Sequence, residues 1–198
     1  MGHPPEQKQA THERILEAAG LLFRRQGFAG ASVETVMKAA GLTVGGFYAH
    51  FGSKQALLVE SLSRMLAGRR AEWLRDLDDL KGPEWVSHFV RRYLNRTHRD
   101  AETPMCPLPA VMSDVVRGDA GLKETLAREM DATVEAMAAH LPRDERASAR
   151  ERALATYALC VGALSLARAT SGTPLSDELL AAARRASVLL ADDSKKGS

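Results

Sequence analysis

Glycine punctuation is the strongest constraint on the first quarter of this chain. Gly27, Gly41 and the Gly45-Gly46 pair cut residues 11–54 into short segments. A glycine inside a helix costs about 1 kcal/mol relative to alanine and serves best where the backbone must turn. Within the segments, apolar residues recur at helical spacing: Ile15, Ala18, Ala19, Leu22 and Phe23, then Val33, Val36, Met37 and Ala40. Thr11 and Ser32 can cap these two helices, because a side-chain oxygen at that position takes up an orphan first-turn N–H. Thr43 opens a third short helix through Phe51. Ser53 caps a fourth, running to about Leu80 with Leu57, Leu58, Leu62, Met65 and Leu66 as its apolar stripe.

Beyond Gly82-Pro83, which ends the fourth helix, the segments lengthen. Trp85, Phe89, Tyr93 and Leu94 mark a helix to about His98, and residues 104–109 form a break before a short segment to Arg117. Asp119 can cap a helix carrying Leu122, Leu126, Met130, Val134 and Met137, which Leu141-Pro142 ends. Residues 144–170 form a long alanine-rich helix. Gly172-Thr173-Pro174 turns into a last helix, capped by Ser176 and ending near Ala191. No segment alternates with the period of a strand and no internal repeat is present. With 45% hydrophobic but only 5% aromatic residues, the composition also favours helix. The predicted fold class is all-α with about nine helices. Residues 1–10 are read as a flexible arm, 11–52 as a three-helix N-terminal domain, 53–191 as a larger helical domain and 192–198 as a disordered tail.

Two cysteines, Cys106 and Cys160, are too few for a disulfide framework. No apolar run approaches the roughly 18 residues needed to span a bilayer, and the N-terminus has no signal-peptide core, so a cytoplasmic location is expected. The formal net charge is +2, with six Lys and Arg against four Asp and Glu through residue 54 and 21 against 21 thereafter. That asymmetry is mild and acquires meaning only beside a motif.

The motif is a helix-turn-helix. Gly41 supplies the tight turn between the second and third short helices, followed by the buried-type Leu42. The third helix then becomes the recognition helix. Thr43, Val44, Gly45 and Gly46 at its start are small enough for the backbone to approach a major groove, while Tyr48, His50 and Lys54 can reach phosphates on either side. Phe47 and Phe51, at helical spacing, are read as core. The histidines show no ligand spacing, so no metal or other cofactor is expected. Gly41 to Gly46 follows a helix rather than a strand and lacks the Gly-Lys-Ser/Thr ending of a phosphate loop.

The segment SVETVMKAAGLTVGGFYAHFGSKQALLVESL is similar to the DNA-binding signature of TetR/AcrR-type regulators. The resemblance covers about residues 11–65, and Phe23, Gly27, Ser32, Val36, Ala40, Gly41, Phe47, Tyr48, His50, Phe51, Lys54 and Leu57 carry it. It implies a DNA-binding set of Ser32, Thr43, Val44, Gly45, Gly46, Tyr48, His50 and Lys54. Gly45-Gly46 departs from the family pattern, where one glycine or alanine more often stands beside a longer polar residue. That pair loosens the recognition helix until DNA orders it and leaves fewer direct base contacts.

The resemblance also implies a C-terminal domain that binds a small-molecule inducer and forms a homodimer. Trp85, Phe89, Tyr93, Met105, Cys106, Met112 and Met137 are candidate pocket residues, since sensor pockets are largely apolar and Met adapts to varied ligands. Each is equally a candidate for plain core. Leu154, Tyr157, Ala158, Val161, Gly162, Leu179 and Ala183 are the candidate dimer interface, on helices apolar round most of their circumference. The resulting reading is a repressor that binds palindromic double-stranded operator DNA as a dimer, touches no membrane and is released by inducer. The rival is an enzyme or carrier with a helical pocket, but no nucleophile with a neighbouring base, paired carboxylates or cofactor fingerprint supports it. Cys106, just before a helix start, is a candidate thiol sensor, with a buried turn residue as the plainer alternative.

Overall fold

The computed structural model describes residues 5–101, 106–142 and 147–192, and every described element is helical. Nine α-helices occur among these residues: α1 Pro5–Gln26, α2 Val33–Ala39, α3 Lys54–Leu74, α4 Gly82–Tyr93, α5 Arg96–Asp100, α6 Leu108–Arg117, α7 Ala120–Ala138, α8 Ala149–Ala169 and α9 Pro174–Ala191. A 3₁₀ segment, Val44–Ala49, stands between α2 and α3. The chain divides into two compact units, residues 1–67 with 102–128 and residues 68–101 with 129–198. The sequence-based boundary near residue 53 therefore does not follow compactness, because 102–128 joins the N-terminal residues. Helices α3 and α7 each run from one unit into the other.

In the first unit α1 packs on α2 and α6, and α2 packs on the 3₁₀ segment. Ile15, Phe23, Val36, Met37, Phe47, Leu57 and Leu62 are fully buried together with Leu108 and Val111 of α6. Helix α1 begins at Pro5, so residues 5–10 are helical rather than an arm. Thr11 is inside the helix, its hydroxyl donating to the Gln7 carbonyl at 2.9 Å. Gly27, at φ +71°, ends α1. Ser32 and Thr35 form a reciprocal capping box at α2. Ser53 accepts from the Ala56 N–H at 3.0 Å and Asp119 from the Leu122 N–H at 3.1 Å, as their spacing predicts.

In the second unit α9 packs along both α8 and α4, and α5 packs on α8. The fourth predicted helix stops at Leu74 rather than Leu80. Arg92 ends it by donating to the carbonyls of Glu72, Trp73 and Arg75 at 3.3, 3.0 and 2.6 Å, and Asp76 then takes φ +60°. Gly82-Pro83 opens α4 instead of closing α3, since proline at the first helical turn lacks an N–H that would be orphaned anyway. The predicted 85–98 helix breaks at Leu94. Asn95 caps α5 by accepting from the His98 N–H at 2.7 Å. Thr173 rather than Ser176 precedes α9, because Pro174 already occupies the first turn; Ser176 is buried and donates to Ala167 at 2.7 Å. The early part of the predicted 144–170 helix and all of the tail beyond Asp192 lie outside the described residues.

Candidate nucleic-acid interface

The geometry of the helix-turn-helix follows from two local rules. Gly41, at φ +68°, allows the chain to reverse after α2, and the Leu42 N–H closes the turn on the Met37 carbonyl at 2.9 Å. The next segment winds as 3₁₀ rather than α, with Gly46 bonding to Thr43 at 3.1 Å and His50 to Phe47 at 2.9 Å. Thr43 occupies the cap position without a side-chain bond. Two glycines in the first turn and no cap leave little to favour the wider α-helix, so the expected recognition helix is a tight single-stretch turn.

That turn is anchored from below and bare above. Phe47 is fully buried, and its ring stands 5.7 Å from Phe51 and 5.2 Å from Tyr48. Thr43, Val44, Gly45, Tyr48 and Ala49 are exposed, Tyr48 to 73%, while Gly46 is half-buried. A methyl group added at Gly45 would meet nothing within 4 Å. Ser32 is exposed at the start of α2. Lys54 is exposed at the start of α3, although its ammonium also lies 3.4 Å from the Phe28 carbonyl. All eight candidate DNA-facing residues thus present open or partly open surface. Within the half-buried His50, Nδ1 is buried with no hydrogen-bond partner among the described residues.

Sequence reasoning missed the contribution of α1. Gln7, Lys8, Thr11 and Arg14 line a cavity of about 560 Å³ whose opposite wall is Thr43, Gly46, Ala49 and His50 of the turn, with Met37 and Leu42 beneath. Gln7, Thr11 and Arg14 recur at i, i+4 and i+7, a signal that was available once residues 5–10 are read as helix. Lys8 and Arg14 are cations, and among the described residues no carboxylate lines the cavity. Arg14 also donates to the Ala40 carbonyl at 2.7 Å, which fixes the end of α2 against α1. His12 stacks on Phe51 at 4.4 Å and lies 2.7 Å from Glu60. Burial, then the nearby His12 and Lys8, hold the His50 imidazole below its ordinary pKa, so it is neutral at pH 7 and meets an anion as a hydrogen-bonding dipole.

The other candidate residues separate between the units. Trp85, Phe89, Tyr93 and Met137 are fully buried in the second unit, with Trp85 stacked on Phe89 at 5.2 Å and on His140 at 5.0 Å. Cys106 and the half-buried Met112 belong to the first unit, and Met105 lies outside the described residues. Cys106 and Cys160 are both fully buried, so exposure does not set Cys106 apart. Of the dimer candidates, Leu154, Ala158 and Gly162 are exposed and Val161 and Leu179 half-buried. Tyr157 and Ala183 are 2% and 4% exposed in the single chain, and Ala183 lines the groove between α8 and α9. Among the described residues no group of three or more His, Cys, Asp or Glu is placed to hold a metal ion, and no helix is long and apolar enough to cross a membrane.

The first unit is therefore a helix-turn-helix with an exposed, side-chain-poor turn beside a cation-lined cavity, in a chain whose described elements are all helical. Residues 15–60 match the family model described as bacterial regulatory proteins, tetR family. The HTH-type transcriptional regulator UidR of Escherichia coli is 30% identical over 102 residues, 50% of this chain and 48% of UidR. LmrA of Bacillus subtilis, also an HTH-type transcriptional regulator, is 38% identical over 56 residues, 28% of this chain and 30% of its own. The chain spans about half the length of UidR in that match. A TetR-family transcriptional regulator from Cytophaga hutchinsonii superposes with a TM-score of 0.78 at 16% identity, covering 98% of this chain and 100% of that one. Reduced Escherichia coli NemR gives 0.74 at 20% identity, covering 89% and 96%. Bacillus subtilis FadR, solved in complex with stearoyl-CoA, gives 0.70 at 14% identity, covering 91% and 98%. These structural likenesses concern the fold. Over residues 15–60 the chain is similar to the DNA-binding domain of the tetR family of bacterial regulatory proteins.

Proposed function

We propose that this protein is a ligand-released transcriptional repressor of the cytoplasm that binds a palindromic operator as a homodimer. The observation that carries the reading is the exposed turn Thr43–Gly46 beside a cavity walled by Lys8, Arg14 and His50. A surface without bulky side chains lets backbone approach base edges, while the flanking cations answer phosphates. In this reading Thr43 and Val44 touch bases, and Ser32, Tyr48, Lys54 and Lys8 hold the backbone of the duplex.

The dimer is supported by an apolar face in the second unit. Ala158, Gly162 and Leu166 of α8 and Leu179, Ala182 and Ala186 of α9 line a groove of about 340 Å³. Leu154, Leu166 and Leu175 stand 41%, 56% and 51% exposed. A contiguous apolar surface of small and branched residues suits a twofold mate packing helix against helix. The inducer reading is supported by the aromatic core of α4, where the Trp85 indole N–H is buried with no hydrogen-bond partner among the described residues. An acceptor on a bound molecule would relieve that donor, whose isolation costs about 1–3 kcal/mol.

Sedimentation of the free protein and nuclease footprinting on its own upstream DNA test the reading together. The expected result is a dimer protecting two half-sites whose centres lie about 34–36 Å apart or a multiple of that. Leu166→Asp should yield monomers that bind the operator poorly. A native monomer that binds a single half-site at full affinity would overturn the reading.

A further inference from the structure

A second cationic feature lies in the second unit, in a groove of about 490 Å³ between α4 and α9. Ser87, Val90 and Arg91 of α4, at i, i+3 and i+4, form one wall. Ala181, Arg184 and Val188 of α9, at i, i+3 and i+7, form the other, with Arg185 and Leu189 beside them. On α9, Ala181, Arg184 and Val188 lie on a different side from Leu179, Ala182 and Ala186, and the groove shares no lining residue with the apolar α8–α9 face.

Some guanidinium groups of the unit meet carboxylates, as Arg70 meets Glu129, Arg99 meets Asp177 and Arg150 meets Asp131, and others, such as Arg92 and Arg168, donate to backbone carbonyls. Among the described residues no carboxylate lines the groove. Arg184 is half-buried and donates to the Leu94 carbonyl, which fixes its plane. Arg91 and Arg185 are exposed and make no ion pair among the described residues. The carboxylates of these helices' first turns, Glu84 on α4 and Asp177 on α9, stand away from the arginine end. Three arginines thus share the groove with the apolar Val90, Ala181, Val188 and Leu189.

We infer that this groove binds a free amphiphilic anion, a carboxylate or phosphate head on a short apolar body. The guanidinium forks match a two-oxygen head in bidentate fashion, and the floor accepts the body. Charge complementarity selects the occupant, because an uncharged molecule of the same shape would leave three unmatched cations at its rim. A groove of this volume falls within the range that small-molecule sites occupy.

Calorimetric titration of the full-length protein with decanoate and with decyl phosphate, below their micelle concentrations, tests this. Saturable binding is expected for both, with decanol binding at least about tenfold more weakly. The double variant Arg91→Glu with Arg185→Glu alters only exposed positions and should weaken both anions by about tenfold or more. Arg91→Gln with Arg185→Gln is the milder companion and should fall between, provided its circular dichroism matches the native chain. Equal binding in these variants, equal binding of decanol, or no binding of either anion would overturn the inference. So would binding of a polyglutamate peptide or of phosphatidylglycerol vesicles without binding of decanoate, which would assign the arginines to a protein or a membrane surface.

Discussion

Asp114 on α6 accepts the backbone N–H of Phe28 at 2.7 Å, 86 residues away in sequence. Its side chain is 14% exposed and is also approached by Arg117 at 3.3 Å. The bond satisfies the Phe28 N–H in the link after α1 and pins that link to α6. Asp114→Ala should therefore lower stability by about 1–3 kcal/mol, the range for a half-buried donor left unsatisfied. Asp114→Asn keeps an acceptor and should lose less. Urea unfolding followed by circular dichroism measures both; an unchanged midpoint for Asp114→Ala would mean the bond contributes nothing net.

Two glycines of the same unit should respond oppositely to alanine. Gly27 has φ +71°, and a Cβ there would stand 2.7 Å from the Asp114 Oδ2. Gly27→Ala should cost about 1–2 kcal/mol for the backbone alone. Gly45 has open space around it, so Gly45→Ala should stabilise by about 0.4–1 kcal/mol. Thermal melts of the two variants should move in opposite directions from the native chain.

The contrast between these glycines shows what the sequence made readable. Helix stops at Gly27 and Gly41 and caps at Ser32, Ser53 and Asp119 are local chemistry, fixed by a residue and its neighbours, and they stand as read. The early stop of α3 was not legible, because it depends on Arg92 reaching three carbonyls 17 to 20 residues away. Pro83 and Pro174 were misread for a subtler reason, since proline punctuates a helix equally as a stop behind it or a start ahead of it. Helical spacing says which residues share a face, not which neighbour covers it, as the 2% exposure of Tyr157 beside the exposed Ala158 shows. The recognition turn was legible as small residues after a glycine turn, but its α1 wall was hidden by a polar, proline-bearing N-terminus that reads as unstructured.

Lys54 and Lys8 test the proposed orientation of the duplex. Replacing either with alanine should weaken binding to all sequences about equally and reduce the salt slope by about one unit each. Thr43→Ala should instead change which bases are preferred. Binding isotherms at several salt concentrations separate the two behaviours, and an unaltered slope for both lysine variants would place the duplex elsewhere.

His98 makes stability depend on pH independently of DNA. It is fully buried, and its Nδ1 donates to the Tyr93 carbonyl at 2.6 Å. Burial, aided by Arg168 and Arg69 and opposed by the Tyr93 bond, brings its pKa down to about 4 from 6.5. The unfolded chain therefore binds a proton that the folded chain refuses between these values. Stability should be full above pH 6.5 and fall as pH drops toward 4, by on the order of 3 kcal/mol. His98→Gln should flatten that part of the profile. An identical pH dependence in the variant would show that another group carries it.

The central claim is that the Thr43–Gly46 turn and the cations beside it read operator DNA. Fluorescence anisotropy with a labelled duplex from the region upstream of the protein's own coding sequence, against a shuffled duplex of equal length and composition, tests it most directly. The native chain should bind the upstream duplex at least about 10³-fold more tightly than the shuffled one, with affinity falling steeply between about 50 and 200 mM salt. Equal affinity for the two duplexes, or affinity indifferent to salt, would contradict the account.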